Sequence, residues 1–251
     1  MVESGAELWQ SYMMASKIYL DSDRVEEARG KSQSAYAYEI LRIRILRGVH
    51  APGEKLRIQE LATEFDVSPG AMREALSRLV PEQLVVAREQ RGFHVAPLSI
   101  EDLEDLTDLR CSIEAIALRR SVERGDVNWE AGILAAAHRL RGTAYPQNYD
   151  PVAEEEWRLR HTAFHAALVA ACGSRRLTAL HAQLYEQSER YRSLSAPAEP
   201  NRDVEKEHHA LVDLALARDA DGLVAAMEHH LRFTTQLVVQ SFNQRSEQLQ
   251  K

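Results

Sequence analysis

The sequence predicts a mostly α protein in two parts: a small module of short helices closed by a hairpin, then an all-helical bundle. Three observations carry this reading. Residues 52–95 hold two short apolar-periodic segments split by a three-residue turn and followed by two β-prone runs around a glycine. From Ile100 nearly to the C-terminus the apolar spacing is helical. Aromatic residues make up only 6% and charged residues 27% of the 251-residue chain, a composition suited to helices.

Residues 1–32 are expected to be an extension. Leu8, Trp9, Tyr12, Met13, Ser16 and Tyr19 fit an amphipathic helix, with a flexible leader equally open, and Asp21 to Gly30 reads as charged and solvated. Tyr36, Ile40, Ile43, Ile45 and Leu46 mark a helix over about 34–47, ended by Gly48. Leu56, Ile58, Leu61, Ala62 and Phe65 place a short helix at 57–64, and Phe65-Asp66-Val67 supplies the turn. Ser68 then stands at an N-cap, with Pro69 at the first helical position, where its missing N–H costs nothing. Met72, Ala75, Leu76 and Leu79 form the inward stripe of this second helix, leaving Arg73, Ser77 and Arg78 on other faces. Leu84-Val85-Val86 and Phe93-His94-Val95 flank Arg88 to Gly92 as a hairpin.

Two short helices and a hairpin make a winged helix-turn-helix, whose second helix enters the major groove of DNA. A plain core hairpin shares this helical spacing. The Ser-Pro start, the hairpin and its basic tip, where Arg88 and Arg91 can reach phosphate, favour DNA. Residues 33–97 carry nine basic against eight acidic groups, while 98–251 carry eighteen against twenty-four. Binding must therefore rest on a few placed arginines. The net charge of −7 excludes nonspecific adhesion to nucleic acid as the main activity. No apolar run is long enough to span a membrane. The acids and bases of the first thirty residues do not form a secretory signal. Cys111 and Cys172, without CxxC spacing, fit a reduced cytoplasmic chain.

Pro97-Leu98-Ser99 is the expected linker, giving an extension at 1–32, a winged module at 33–97, a helical domain at 98–245 and a tail at 246–251. In the helical domain, Leu103, Leu106, Leu109, Ile113, Ile116 and Ala117 form one stripe, and Gly125-Asp126 breaks the chain. Ile133, Leu134, Ala137 and Leu140 mark the next helix. A looser segment at 142–150 precedes helices at about 151–171, 177–194, 204–218 and 221–244, with a Pro-punctuated loop at 196–200. Six or seven helices with short connections make a bundle.

Four histidines have inward phases. His161 and His165 are i, i+4 on one helix, continued by Trp157 and Leu168; His208 shares a stripe with Leu211, and His230 with Leu223 and Met227. His209 and His229 lie off these stripes, and His138 and His181 are expected to face out. A single inward histidine is usually a hydrogen-bonded core residue. Four converging from three helices are hard to satisfy without a cation or ordered water. Imidazoles suit a divalent transition metal, zinc first, with nickel, iron, cobalt and copper open. Tyr185, Arg190 and Arg192 on the 177–194 helix would grip a carboxylate beside such an ion, although an exposed polar face explains Arg190 and Arg192 equally well.

The chain resembles the GntR superfamily of bacterial regulators. Pro52-Gly53-Glu54, Glu60-Leu61-Ala62, Val67-Ser68, Arg73-Glu74-Ala75-Leu76, Leu79 and Gly92-Phe93-His94-Val95 carry the likeness. It implies DNA contacts by Arg73 and by the wing around Arg91 and Gly92. Ser68-Pro69-Gly70-Ala71 departs from the family's Ser-Arg-Thr-Pro, so one customary arginine is missing; Arg57 is the candidate to compensate. Leu106 to Glu114, Trp157 to Leu177 and Glu207 to Leu231 resemble the FCD ligand-sensing domain of the FadR-like branch. That resemblance implies metal ligands His161, His165, His208 and His230, with His161 standing where Asp is usual, and puts Arg110 at the position of the domain's usual arginine. Cys172-Gly173-Ser174 and Leu184 to Arg192 are similar to a branch controlling organic-acid catabolism, glutarate-type dicarboxylates included.

The expectation is a homodimeric regulator, and a repressor, on a pseudo-palindromic operator, modulated by a small organic acid at the metal and Arg110. Two rivals stay open. One is the same regulator with a purely structural metal. The other is a metal-dependent hydrolase, for which no positioned nucleophile stands out near the histidines.

Overall fold

The computed structural model describes residues 22–143, 151–193 and 202–249. The expected helix through Leu8 to Tyr19, most of the 142–150 segment and the 196–200 loop lie outside them. The chain divides into two compact units, Met1–Leu98 and Ser99–Lys251.

In the first unit, α1 (Ser22–Lys31) and α2 (Gln33–Leu46) precede β1 (Lys55–Leu56), α3 (Ile58–Glu64), α4 (Pro69–Leu79), β2 (Val85–Arg88) and β3 (Gly92–Val95). The 21–30 segment is not simply solvated. It lies in α1, whose Val25 and Ala28 are buried, and Val25 joins the core cluster of Leu41, Ile45 and Met72. The charged majority of that segment hid two apolar positions three residues apart on one helical face. Ser32 caps α2 by accepting from Ala35 N at 3.1 Å.

Asp66, at φ 53°, turns the chain between α3 and α4. Ser68 Oγ accepts from Ala71 N at 3.2 Å and Pro69 opens α4, as its sequence requires. Met72, Ala75, Leu76 and Leu79 are all buried. The sheet order is β1-β3-β2, antiparallel throughout, with Lys55 opposite His94 and Arg88 opposite Gly92. Strand β1 was not foreseen, because two residues carry no readable alternation. Gly92 adopts φ 80° at the hairpin tip, a conformation that favours glycine.

The second unit holds α5 (Ile100–Arg124), α6 (Val127–Arg141), α7 (Pro151–Val169), α8 (Arg175–Ser193), α9 (Val204–Leu216) and α10 (Ala220–Leu249). Helix α10 runs five residues past the expected end and absorbs most of the expected tail. The core gathers Leu118, Ile133, Phe164, Leu168, Leu211, Leu223 and Met227. Three apolar residues assigned inward face out: Leu109 and Ile116 are each 47% exposed and Leu134 is 49% exposed. Helix α5 instead buries the polar Thr107, Arg110, Glu114 and Ser121 alongside its apolar stripe.

The break between α5 and α6 is tightly built. Asp126 caps α6 by accepting from Trp129 N at 3.0 Å, and Trp129 Nε1 donates to Ala167 O at 3.1 Å. That seats the indole over Gly125, where an added Cβ would lie 2.2 Å from Trp129 Cε3 and 2.7 Å from Ser121 O. Gly125→Ala should therefore destabilise this unit by about 1–3 kcal/mol through overpacking. Urea unfolding checks it, and an unchanged midpoint would refute the close approach.

Candidate nucleic-acid interface and metal centre

The start of α3, the start of α4 and the wing enclose a cleft of about 570 Å³ in the first unit. Arg57, Arg73, Arg91 and Gly92 all line it, together with Lys55. Four of the six residues expected at DNA thus share one concavity. Arg57, Arg73 and Arg91 are exposed, and Arg57 pairs with Glu60 at 3.1 Å. Ser68 sits one residue outside the cleft lining. Its N–H donates to Gln33 Oε1 at 3.0 Å and its Oγ accepts from Ala71 N, which leaves its hydroxyl hydrogen for an outside acceptor. Arg78 does not join them, since its guanidinium lies 4.0 Å from the centroid of the Tyr38 ring on α2.

In the second unit, α7 supplies His161 and His165, α9 supplies His208 and α10 supplies His230, all buried. One ligand atom from each lies within 4.8 Å of every other. His161 Nε2 and His165 Nε2 are 3.1 Å apart. Neighbouring nitrogens around an ion with bonds of ~2.0–2.1 Å sit about 3 Å apart, so this spacing suits ligation. Outer partners hold two of the rings. Glu207 Oε2 meets His230 Nδ1 at 2.6 Å, and Tyr185 Oη meets His161 Nδ1 at 2.7 Å. Trp157 stacks on His161 with centroids 4.5 Å apart. Arg202 grips Glu207 through Nε at 2.9 Å and a second nitrogen at 2.7 Å.

Arg110 is buried near the cluster. It donates to Ser188 Oγ at 3.0 Å, lies 3.5 Å from Glu114 and covers the Tyr185 ring at 4.8 Å. Arg190, also buried, lies in the electrostatic neighbourhood of Tyr191 and Asp102, while the expected effector residues Arg110 and Tyr185 meet beside the cluster. His181 faces inward, contrary to its expected outward phase, with Nε2 3.0 Å from buried Glu114. Its partner lies on α5, 67 positions earlier, beyond the reach of local periodicity. Glu207, Arg202 and Ser188 were also missed. Only Glu207, directly before His208, had a local signal.

Two family models match the chain: bacterial regulatory proteins of the gntR family over residues 33–95 and the FCD domain over residues 105–233. The HTH-type transcriptional regulator BphR of Paraburkholderia xenovorans (strain LB400) is 39% identical over 91% of this chain and 94% of its own. The chain belongs to the GntR family. It is a DNA-binding transcriptional regulator with an FCD domain, not an enzyme, which removes the hydrolase alternative. The HTH-type transcriptional repressor GlaR of Escherichia coli (strain K12) is 37% identical over 77% of this regulator and 90% of its own chain. The solved structure of E. coli McbR/YncC shares the fold, with a TM-score of 0.68 at 20% identity over 84% of this chain and 99% of that one. No helix among the described residues is long and apolar enough to cross a membrane.

Within the regulator's FCD domain the four imidazoles are neutral. Burial, reinforced by the neighbouring histidines, holds His161 and His165 well below the ordinary range. Burial takes His208 down to about 3, and lowers His230 against the opposing hydrogen bond to Glu207. Burial raises the Glu207 carboxyl, but hydrogen bonds from Arg202 and His230 win and hold it at about 2. Neutral rings keep a lone pair each, as a metal requires. His208 Nε2 is buried without a hydrogen-bond partner, which fits a ring turned towards an ion, whereas His165, whose Nε2 faces His161, has its outer Nδ1 buried without one.

Depressed histidine pKa values mean that the unfolded chain, titrating near 6.5, binds protons the folded chain refuses. Stability of the metal-free protein should then fall as pH drops below about 6.5 and level off above it. Thermal melts in chelator between pH 5 and 8 test this, and a flat profile would contradict four neutral buried rings.

Proposed function

We propose that this regulator is a cytoplasmic, homodimeric repressor whose grip on a pseudo-palindromic operator is modulated by a small organic acid bound beside a metal in the FCD domain. One winged module would serve each half-site. Repression is supported by GlaR, which is named a repressor and is 37% identical over 90% of its length. The observation carrying the sensing half is the set of four neutral histidines gathered within 4.8 Å, with no carboxylate among the donors.

At the operator, Arg73 and the exposed groups near Ser68 would face base edges, with Arg91 and Gly92 on the backbone or minor groove. Arg57, in the same cleft, supplies a cation where Gly70 follows Pro69 in place of the customary side chains. In the bundle, all four donors are imidazole, which suits zinc, nickel, cobalt, copper or iron. A divalent ion there supplies an uncompensated positive centre for an anion. Arg110 adds a charge-assisted donor for the acid's carboxylate. That acid must compete with Ser188 and Glu114 for the guanidinium. It can alter DNA binding only by favouring one arrangement of the protein over another.

A second reading is that the metal is structural, and the burial of all four ligands favours it. Both readings are tested by thermal melting against small mono- and dicarboxylates, with metal and after chelation. An effector at 100 times its dissociation constant should stabilise the loaded protein by about 2.7 kcal/mol and lose that effect without metal. Melting lowered by chelation alone, with no acid responding, leaves the structural ion. For the DNA half, Arg73→Ala should weaken operator binding by about 1–3 kcal/mol in an anisotropy titration. An unchanged affinity removes Arg73 from the base contacts.

A further inference from the structure

We infer that Gln33, at the start of α2, is a further DNA-contact residue, whose side-chain amide donates a hydrogen bond to a backbone phosphate of the DNA beside α4. Gln33 can act in this way only if α4 is the helix that meets DNA, as proposed above for Arg73.

A glutamine amide has two unlike faces, an oxygen that only accepts and an NH2 that only donates. Ser68 decides which of them is turned inward. Its backbone N–H donates to the Gln33 side chain across 3.0 Å, so the atom facing it is Oε1. Nε2 is then the outer end. Gln33 is exposed, and among the described residues its Nε2 has no hydrogen-bond partner.

The neighbouring hydroxyls are committed differently. Ser34 Oγ donates to Glu74 Oε1 at 3.1 Å, and a carboxylate only accepts. Ser32 Oγ accepts from Ala35 N at 3.1 Å, so its own proton goes to Ser34 Oγ at 3.2 Å. Both hydroxyls are thus used within the protein. The bonds Gln33–Ser68 and Ser34–Glu74 fasten the first turn of α2 to α4 at two points. Ser68 keeps a spare hydroxyl hydrogen, because its Oγ accepts from Ala71 N. Gln33 Nε2–H and Ser68 Oγ–H are therefore two outward donors on residues already joined to each other, and together they suit an acceptor from outside. The next two residues, Pro69 and Gly70, line the cleft that holds Arg57, Arg73 and Arg91. Open space lies where a Gly70 Cβ would stand, so no side chain crowds that approach.

The bond to Ser68 also chooses between backbone and base. Glutamine reads adenine by accepting from N6 and donating to N7 together. Gln33 has given its oxygen to Ser68, so that pairing is closed to it. A lone donor fits a phosphate oxygen, a contact that sets the register of α4 on the duplex and carries no sequence information.

The probes are a duplex selected by the full-length wild-type protein from a random-sequence pool, and a second duplex of equal length and unrelated sequence. Affinities for both are measured by anisotropy at low salt. Gln33→Glu keeps an oxygen for the Ser68 N–H and puts a charged oxygen where Nε2 stood. An acid in the first turn of a helix is favourable, so the fold should survive, and thermal melting checks it. Binding by Gln33→Glu should fall about 10–100-fold, by the same factor on both duplexes. Gln33→Ala removes the donor without adding charge. It should weaken both duplexes by a smaller factor, and it serves alone should Gln33→Glu not fold. Wild-type affinity in either variant would overturn the contact, leaving Gln33 as a tie between α2 and α4. A loss confined to the selected duplex would overturn the phosphate assignment in favour of a base. Arg73→Ala, measured alongside, separates the two readings. If it is weakened while the Gln33 variants are not, Gln33 alone is removed. If it too binds as the wild type does, the placement of α4 on DNA falls, and Gln33 with it.

Discussion

The helical domain is organised around the problem of keeping four imidazoles inside a bundle. Each ring is a polar group that must be uncharged, oriented and partnered to be tolerated there. Burial settles the charge, since all four titrate below their ordinary range. Orientation is settled by helix phase: α7 must bring residues i and i+4 to one face, while α9 and α10 each turn one histidine to meet them. The apolar neighbours follow from the same phases. Phe164 packs between His165 and His208, at centroid distances of 5.4 and 5.0 Å, so a slip of either helix would disturb ligand set and core together.

The DNA-binding module solves a different problem. It has almost no net charge to spend, with nine basic against eight acidic residues over 33–97. Several of those bases are already engaged: Arg42 with Glu82 at 2.8 Å, Arg44 with Glu64 at 2.5 Å, and Arg78 over Tyr38. These contacts tie α2 to the turn after α4, to α3 and to α4, and the placed positive charge is then that of the cleft, where Arg57 shares its guanidinium with Glu60 beside Arg73 and Arg91. Binding of this kind depends on where a few cations sit, and its sequence-independent component should be modest in a protein of net charge −7.

Much of this was legible in the residues because the signals are local. Ser68-Pro69 at a helix start, the turn before it, Gly92 in the wing and the i, i+4 histidine pair each speak within a few positions. What was misread depends on distant partners. Leu109, Ile116 and Leu134 fit a helical stripe, yet α5 buries Arg110 and Glu114 in preference to Leu109 and Ile116. Hydropathy alone would never put a guanidinium and a carboxylate inside and leucine outside. The exchange makes sense only once Ser188 and His181, on α8, are seen to receive them. Val25 and Ala28 were lost for the converse reason, two small apolar residues in a strongly charged segment.

Those buried charges also shape what the centre can attract. Three arginines with glutamate partners lie around the histidines: Arg110 with Glu114, Arg192 with Glu189, and Arg202 with Glu207. Each pair is close to neutral, so each offers donors without adding much net charge, and breaking one by removing a single partner would strand a buried ion. The proposed ligand set is itself neutral, all four of its donors being imidazoles. A cation there would therefore meet compensation in the outer partners, of which, among the described residues, Glu207 is the carboxylate seen to touch one of the four histidines. On the proposed reading, an incoming anion would find positive potential from a metal at the centre and from Arg110 together, and the Glu114 carboxylate, 3.5 Å from that guanidinium, would weaken the second contribution. If the proposed metal is bound, the balance would favour a small acid that reaches the centre and Arg110 at once over one that can touch only the arginine.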